Sequence, residues 1–144
     1  MSTTLNPYLS FRGNAKEAME FYHSVFGGEL TMSRYAEFGM NEDPSEADKI
    51  MHAQLVTSGG LTLMGADTPN SMPFTPGNTY SVSLSGQDVD ELTGYWQKLS
   101  EGATIQMPLE KAPWGDSFGQ LTDRFGVGWM VNIGGSPDAP TPQA

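Results

Sequence analysis

The feature that most limits what this chain can fold into is a repeat of pattern, in which the second half restates the order of the first. Shifting the first half by 73 positions lays Leu9 on Val82, Phe11 on Leu84, Gly13 on Gly86, Met19 on Leu92, Tyr22 on Tyr95 and Phe26 on Leu99. The match is one of periodicity rather than identity: a short alternating strand, a glycine, then an apolar stripe at helical spacing. Each half continues into three more strands, so the pattern predicts two βαβββ modules in tandem, an α+β fold.

In the first module Tyr8-Leu9-Ser10-Phe11 alternates, placing Leu9 and Phe11 on one side of a strand and Tyr8 and Ser10 on the other. Asn14 reads as the N-cap of a helix whose apolar face is Ala15, Ala18, Met19, Tyr22, Val25 and Phe26, stopped by Gly27-Gly28. Glu29 to Tyr35 reads as a strand, and the polar stretch Ala36 to Asp48 as a mobile excursion that can serve as a lid. Lys49 to Thr57 and Leu61 to Gly65 form a hairpin about Ser58-Gly59-Gly60. The module boundaries are 1–66, a proline-rich linker 67–78, a second module 79–134, and a disordered tail 135–144.

In the second module Thr79 to Ser85 alternates, with Val82 and Leu84 against Ser81 and Ser83, and Gly86-Gln87-Asp88 caps a helix with Val89, Leu92, Tyr95, Trp96 and Leu99 on its apolar face. Ala103 to Met107 is a strand, Pro108 to Pro113 an irregular link, and Pro113 to Asn132 a closing hairpin. Asp123-Arg124-Phe125-Gly126 suits a type I turn, since Asp at the first position bonds the backbone ahead of it. Gly115, Gly119 and Gly128 interrupt the flanking strands and imply curvature, a bulge or a close backbone approach.

Composition bounds the function. With 17 Asp and Glu against 7 Lys and Arg the formal net charge is -10, and the cations are scattered singly, so no basic surface exists for nucleic acid. The acidity serves solubility, or a field that draws in a cationic ligand. There is no cysteine, which removes disulfides and thiolate metal sites. No basic leader and no apolar run near the roughly 20 residues of a membrane span occurs, so a soluble, cytoplasmic protein is expected.

Several stretches together resemble one known group. Pro7-Tyr8-Leu9-Ser10-Phe11 with Gly13-Asn14-Ala15, Phe21-Tyr22 with Phe26-Gly27-Gly28, Met51-His52-Ala53, and the closing Trp-Gly-Asp-Ser-Phe-Gly to Trp-Met hairpin are similar to the vicinal oxygen chelate superfamily, in its PhnB-like branch. The resemblance runs from about Pro7 to Ile133. It implies curved mixed sheets forming cups around a small-molecule cavity, helices packed outside, and a homodimer. Many relatives hold a divalent metal there, but the equivalent positions fall near Asn6 or Pro7, near Thr79 and near Met130, and the chain has two histidines in all. The usual metal triad is therefore expected to be missing, and no cofactor is expected; a divalent metal is the alternative. The branch has also carried a methyltransferase label, yet no glycine-rich strand-to-helix turn followed by an acidic residue is present, and no P-loop.

The candidate site residues follow from the alternation. His52 and Gln54 share one strand face, where His52 is a general base or ligand hydrogen-bonder, or else a histidine satisfied within the sheet or at a subunit contact. Glu110, on the irregular link, is the best carboxylate to work with it as acid or base. Tyr8, Ser10, Ser81 and Ser83 point into the cups as ligand contacts, or serve structure alone. Trp114, Phe118 and Trp129 form an aromatic wall for a planar or cationic guest, or belong to the core. Asp116 reads as a turn former, His23 as surface, and Met64, Met107 and Met130 as gap-fillers. Two readings follow: a metal-free small-molecule binding protein of glyoxalase and bleomycin-resistance type, or a metal-assisted or His-based lyase, isomerase or dioxygenase.

Overall fold

The computed structural model describes residues 3–40 and 43–134, so the expected tail at 135–144 lies outside the described residues. The chain divides into two units, one ending at Gly77 and the other beginning at Asn78. The first unit runs β1 (Tyr8–Phe11), α1 (Ala15–Phe26), β2 (Glu29–Arg34), β3 (Ile50–Val56) and β4 (Thr62–Asp67). Its sheet has the order β1-β4-β3-β2, with β1 parallel to β4 and the other pairs antiparallel. Alternation does what the sequence implies: Leu9, Phe11, Ala53, Leu55 and Leu63 are buried on the side that carries α1, whose Ala15, Ala18, Met19, Tyr22, Val25 and Phe26 are buried as well.

The start of α1 is held differently from the expectation. The Asn14 side chain makes no capping bond. Instead Asp67, at the end of β4, accepts from the backbone N–H of Gly13 (2.7 Å) and Ala15 (3.0 Å) through Oδ1, and from Ile50 N–H (2.9 Å) through Oδ2. One buried carboxylate ties the first turn of the helix and the first residue of β3 to the end of β4. Asp67 is thus part of the first unit's framework and not of a linker.

The polar excursion and the proline-rich stretch are both anchored. Two short 3₁₀ turns, Tyr35–Phe38 and Pro44–Glu46, occupy the excursion, and Glu46 is buried, accepting from Asn70 N–H and facing Lys49 at 3.6 Å. Ala36 N–H donates to Ala47 O at 3.1 Å, and Tyr35 N–H to Lys49 O at 3.0 Å, closing the excursion at its base. The Arg12 guanidinium donates to the carbonyls of Pro69 and Met72 and lies over the Phe74 ring, 5.3 Å from its centroid.

The second unit runs β5 (Val82–Gly86), α2 (Val89–Leu99), β6 (Thr104–Lys111), β7 (Ser117–Thr122) and β8 (Gly128–Ile133), in the sheet order β5-β8-β7-β6. Asp88 caps α2 by accepting from Glu91 N–H at 3.0 Å. The buried face of α2 is narrower than its periodicity implies: Leu92, Trp96 and Leu99 are buried, whereas Val89 is exposed and Tyr95 turns outward to donate to Glu91 at 2.6 Å. The expected irregular link at 108–113 is a correction. β6 continues through Pro108 to Lys111, because it is an edge strand with two register shifts, and an edge bulge is where a residue without an N–H is tolerated.

Asp123 makes the predicted turn, with Gly126 N–H donating to its carbonyl at 3.0 Å. Its carboxylate does more than close the turn: Oδ1 accepts from Phe125 and Val127 N–H, and Oδ2 from the Trp129 indole at 2.9 Å. Gly119 answers the close-approach expectation, since a Cβ there would stand 2.8 Å from the Trp96 ring and 2.9 Å from Leu109 Cα.

Candidate functional site

Each sheet presents a second face, away from its helix. In the first unit Tyr8, Met64, Gln54 and Thr31 lie level across β1, β4, β3 and β2. One step along, Ser10 is level with Ala66, and Ser33 with His52. These are the residues that alternation assigns to the cup: Tyr8, Ser10, His52 and Gln54 share one face.

The face has a polar focus. Tyr8 Oη stands 3.0 Å from His52 Nδ1, with ring centroids 5.7 Å apart. Burial pushes the Tyr8 phenol above its ordinary value, so at neutral pH it is a hydroxyl. If the phenol donates, Nδ1 is the acceptor and Nε2 carries the ring proton; if Nδ1 is protonated the roles reverse. Either way the pair offers a proton donor and an acceptor side by side on a half-exposed surface.

Beside this face Tyr35 donates to Asp67 O at 2.8 Å, and its phenol is pushed up first by burial and then by the nearby carboxylates of Asp67 and Glu46 and by Tyr8. A cleft of about 510 Å3 opens there, lined by Tyr35, Met40, Asp43, Glu46, Pro69, Asn70 and Ser71. Sequence reading passed over Tyr35; its position at the end of a strand, next to a polar excursion, was the available signal.

In the second unit the corresponding face carries Ser83, Met130, Gln120 and Met107 in one row and Ser85, Asn132, Phe118 and Glu110 in the next. Ser83, Phe118 and Glu110 are therefore brought onto one surface, and Trp114 on the β6–β7 turn meets Phe118 edge-on at 5.8 Å. Ser81 precedes β5 and sits against Gly128. Met64, Met107 and Met130 belong to these open faces and not to the cores. Asp116 shapes its turn as expected, accepting from Ala112 N–H with its carbonyl, but its carboxylate is buried and takes Asn132 Nδ2 at 3.0 Å.

Trp129 does not join the aromatic wall. It pairs with Leu121 and Val82, on the side facing α2, and is 1% exposed with its indole bonded to Asp123. The alternation Trp129, Val131, Ile133 was the signal for it. Of the expected acid–base pair, His52 belongs to the first unit and Glu110 to the second.

Neither implied group fits the residues present. Among the described residues no three His, Cys, Asp or Glu side chains come together as a metal requires, and the last-strand position in question is the thioether of Met130. A nucleotide-like cofactor would seek the helix N-terminus after β1, but there the N–H groups of Gly13 and Ala15 already bond the chain's own Asp67.

Two βαβββ units with open, polar-lined sheet faces define a glyoxalase-like fold. A glyoxylase/bleomycin resistance protein/dioxygenase domain from Frankia sp. EAN1pec has the same fold at 17% identity, with a TM-score of 0.64 over 93% of this chain and 98% of that one. This is the fold of the vicinal oxygen chelate superfamily. Within it, residues 3–132 match the model of the 3-demethylubiquinone-9 3-methyltransferase family, and the chain belongs to that family. It is similar to a protein of Pseudomonas aeruginosa of solved structure, at 41% identity and a TM-score of 0.78 over 92% of this chain and 98% of that one. It is also similar to a putative 3-demethylubiquinone-9 3-methyltransferase, PhnB protein, from Bacillus cereus, at 30% identity and a TM-score of 0.70 over 91% and 99%.

Proposed function

We propose that this protein binds a small organic molecule on the open face of the first unit without a resident metal, with Tyr8, Ser10, His52 and Gln54 as its polar contacts. The observation that carries this reading is the Tyr8–His52 hydrogen bond on the sheet face opposite α1, where half-exposed polar side chains converge and the core-facing residues of the same strands are apolar. The formal net charge of -10 favours a cationic guest. The protein acts as a cytoplasmic homodimer in this reading; light scattering that returns a monomer at high concentration would remove the dimer. Methyl transfer is not part of it, because the helix N-terminus a nucleotide-like cofactor would use is filled by Asp67.

Equilibrium binding of a panel of cationic aromatic compounds by calorimetry tests the proposal. Saturable binding that weakens about tenfold in Tyr8→Phe or His52→Ala is the expected result, the size of one lost polar contact. A panel that gives no heat with the parent protein would refute it. A second reading, a His-based lyase or isomerase, is favoured by the same imidazole–phenol pair, which is built for proton transfer. Turnover abolished by His52→Ala, in protein shown to carry no stoichiometric metal, would establish that reading. Stoichiometric Ni, Zn, Mn or Fe that departs in a His52→Ala variant would establish the metal-assisted alternative instead.

A further inference from the structure

The open face of the second unit carries one acceptor with no donor. Asn132 Oδ1 is enclosed and unpartnered, the single such side-chain atom among the described residues. The other end of the amide fixes its orientation: Nδ2 donates to Asp116 Oδ2 at 3.0 Å, and turning the amide over would set two oxygens against each other. A buried carboxylate therefore fixes the amide of Asn132, a residue of the open-face row, with its oxygen enclosed and unsatisfied, and a buried acceptor left so is costly.

The row in which Asn132 stands gives the chemistry of what completes it. Level with Asn132 lie Ser85 on one side and Phe118 then Glu110 on the other, and Trp114 meets the Phe118 ring edge-on. Glu110 is exposed and makes no ion pair among the described residues. One acceptor amide, one unpaired carboxylate and the Phe118 ring in a single row, with the Trp114 ring against Phe118, match a flat cation bearing N–H donors: its charge meets Glu110, a donor meets Asn132 Oδ1, and its plane lies on the rings. We infer that the second unit has its own binding site for a small planar organic cation of the amidinium or guanidinium type, with Asn132 as its specificity-determining acceptor. The site extends the reading of a small-molecule binding protein to residues separate from Tyr8 and His52. Oδ1 is enclosed, so a ligand reaches it only as the side chains over it shift.

Benzamidinium titrated into the full chain is the test, with benzoate as the isosteric probe of opposite charge. Saturable benzamidinium binding with a change in Trp114 fluorescence is expected, together with no benzoate binding and about tenfold weakening in Asn132→Leu and in Glu110→Gln. Glu110→Gln alters an exposed side chain, so its result stands even if Asn132→Leu fails to fold. Equal binding of benzoate, or affinity for benzamidinium unaltered in Glu110→Gln, would overturn the assignment. So would exclusion of the probe because a second copy of the chain covers the face, seen as a dimer by light scattering that Trp114→Ser dissociates. Weakening by His52→Ala alone would overturn it as well, while leaving the reading of the first unit standing.

Discussion

Replacing Asp67 by Ala removes the acceptor for three backbone N–H groups at once: Gly13 at 2.7 Å, Ala15 at 3.0 Å and Ile50 at 2.9 Å. Gly13 is exposed, so water replaces that partner at little cost. Ala15 and Ile50 are 0% and 3% exposed, and their donors are left without water. At about 1–3 kcal/mol for each buried orphan, plus the charge interaction with the start of α1, the loss is about 3–5 kcal/mol. Asp67→Asn keeps one oxygen and must turn its NH2 towards either Ile50 N–H or the helix start, so it falls between the two, at about 2–3 kcal/mol. Urea denaturation followed by circular dichroism measures both, and for a chain of this size each kcal/mol lowers the melting temperature by about 2–4 °C. An Asp67→Ala protein within 1 kcal/mol of the parent would show that the helix start does not depend on this carboxylate. Parental stability in Asp67→Asn would show that the charge and the third bond contribute nothing.

Asp123→Ala strips partners from the N–H groups of Phe125 and Val127 and from the Trp129 indole, and is expected to cost about 2–4 kcal/mol and to change the emission of the buried tryptophan in fluorescence-monitored unfolding. Gly119→Ala drives a methyl into the Trp96 ring and the backbone of Leu109, an overpacking worth about 1–3 kcal/mol by the same assay, and a Trp96→Leu background should restore most of it. Burial, then the hydrogen bond and charge of Glu91, push the Tyr95 phenol up from 10.0 to about 12. Its contribution to stability is therefore complete below pH 10 and is lost as pH rises towards about 12, so the decline in alkaline unfolding curves should be smaller in Tyr95→Phe than in the parent, the raised phenols of Tyr8 and Tyr35 supplying what remains.

Alternation was enough to separate the two faces of each sheet from the sequence, because side chains on successive residues of a strand point to opposite sides whatever the strand pairs with. It placed Leu9, Phe11, Ala53 and Leu55 in the core and Tyr8, His52 and Gln54 on the open face. Alternation does not fix register, since a slip of two residues leaves every side chain on its own face. The 73-position shift accordingly laid Leu9 on Val82, while the ladders put Leu9 level with Gly65 and Ala53, and Leu84 level with Val131 and Gly119. The roles of Asp67 and Asp116 were not legible for a different reason. A buried carboxylate is recognised by donors that reach it from distant segments, as Ile50 and Ala15 reach Asp67, and no local spacing announces such partners. β6 was misread at Pro108 because a strand interior excludes proline, and only the sheet order reveals that this strand lies at an edge.

The corresponding hairpins show how the two halves diverged. Thr57 N–H donates to Leu61 O at 2.8 Å in the first unit, as Asp123 N–H does to Val127 O at 2.8 Å in the second. The side chain at that position accepts from the residue closing the turn in both, Thr57 Oγ1 from Leu61 and Asp123 Oδ1 from Val127. With the hairpins so matched, Gln54 opposite Met64 coincides with Gln120 opposite Met130, and both pairs lie on open faces. The duplicated frame therefore keeps a glutamine–methionine pair at the centre of each face. One step further, the first unit offers His52 with Tyr8 in reach, whereas the second offers Phe118 beside Asn132 and Glu110. Because these residues point away from the helices, they exchange without disturbing either core, and two faces of different chemistry arise on one scaffold. The proposals for the two faces thus rest on residues that differ between matched positions, and the His52 and Glu110 variants separate them experimentally.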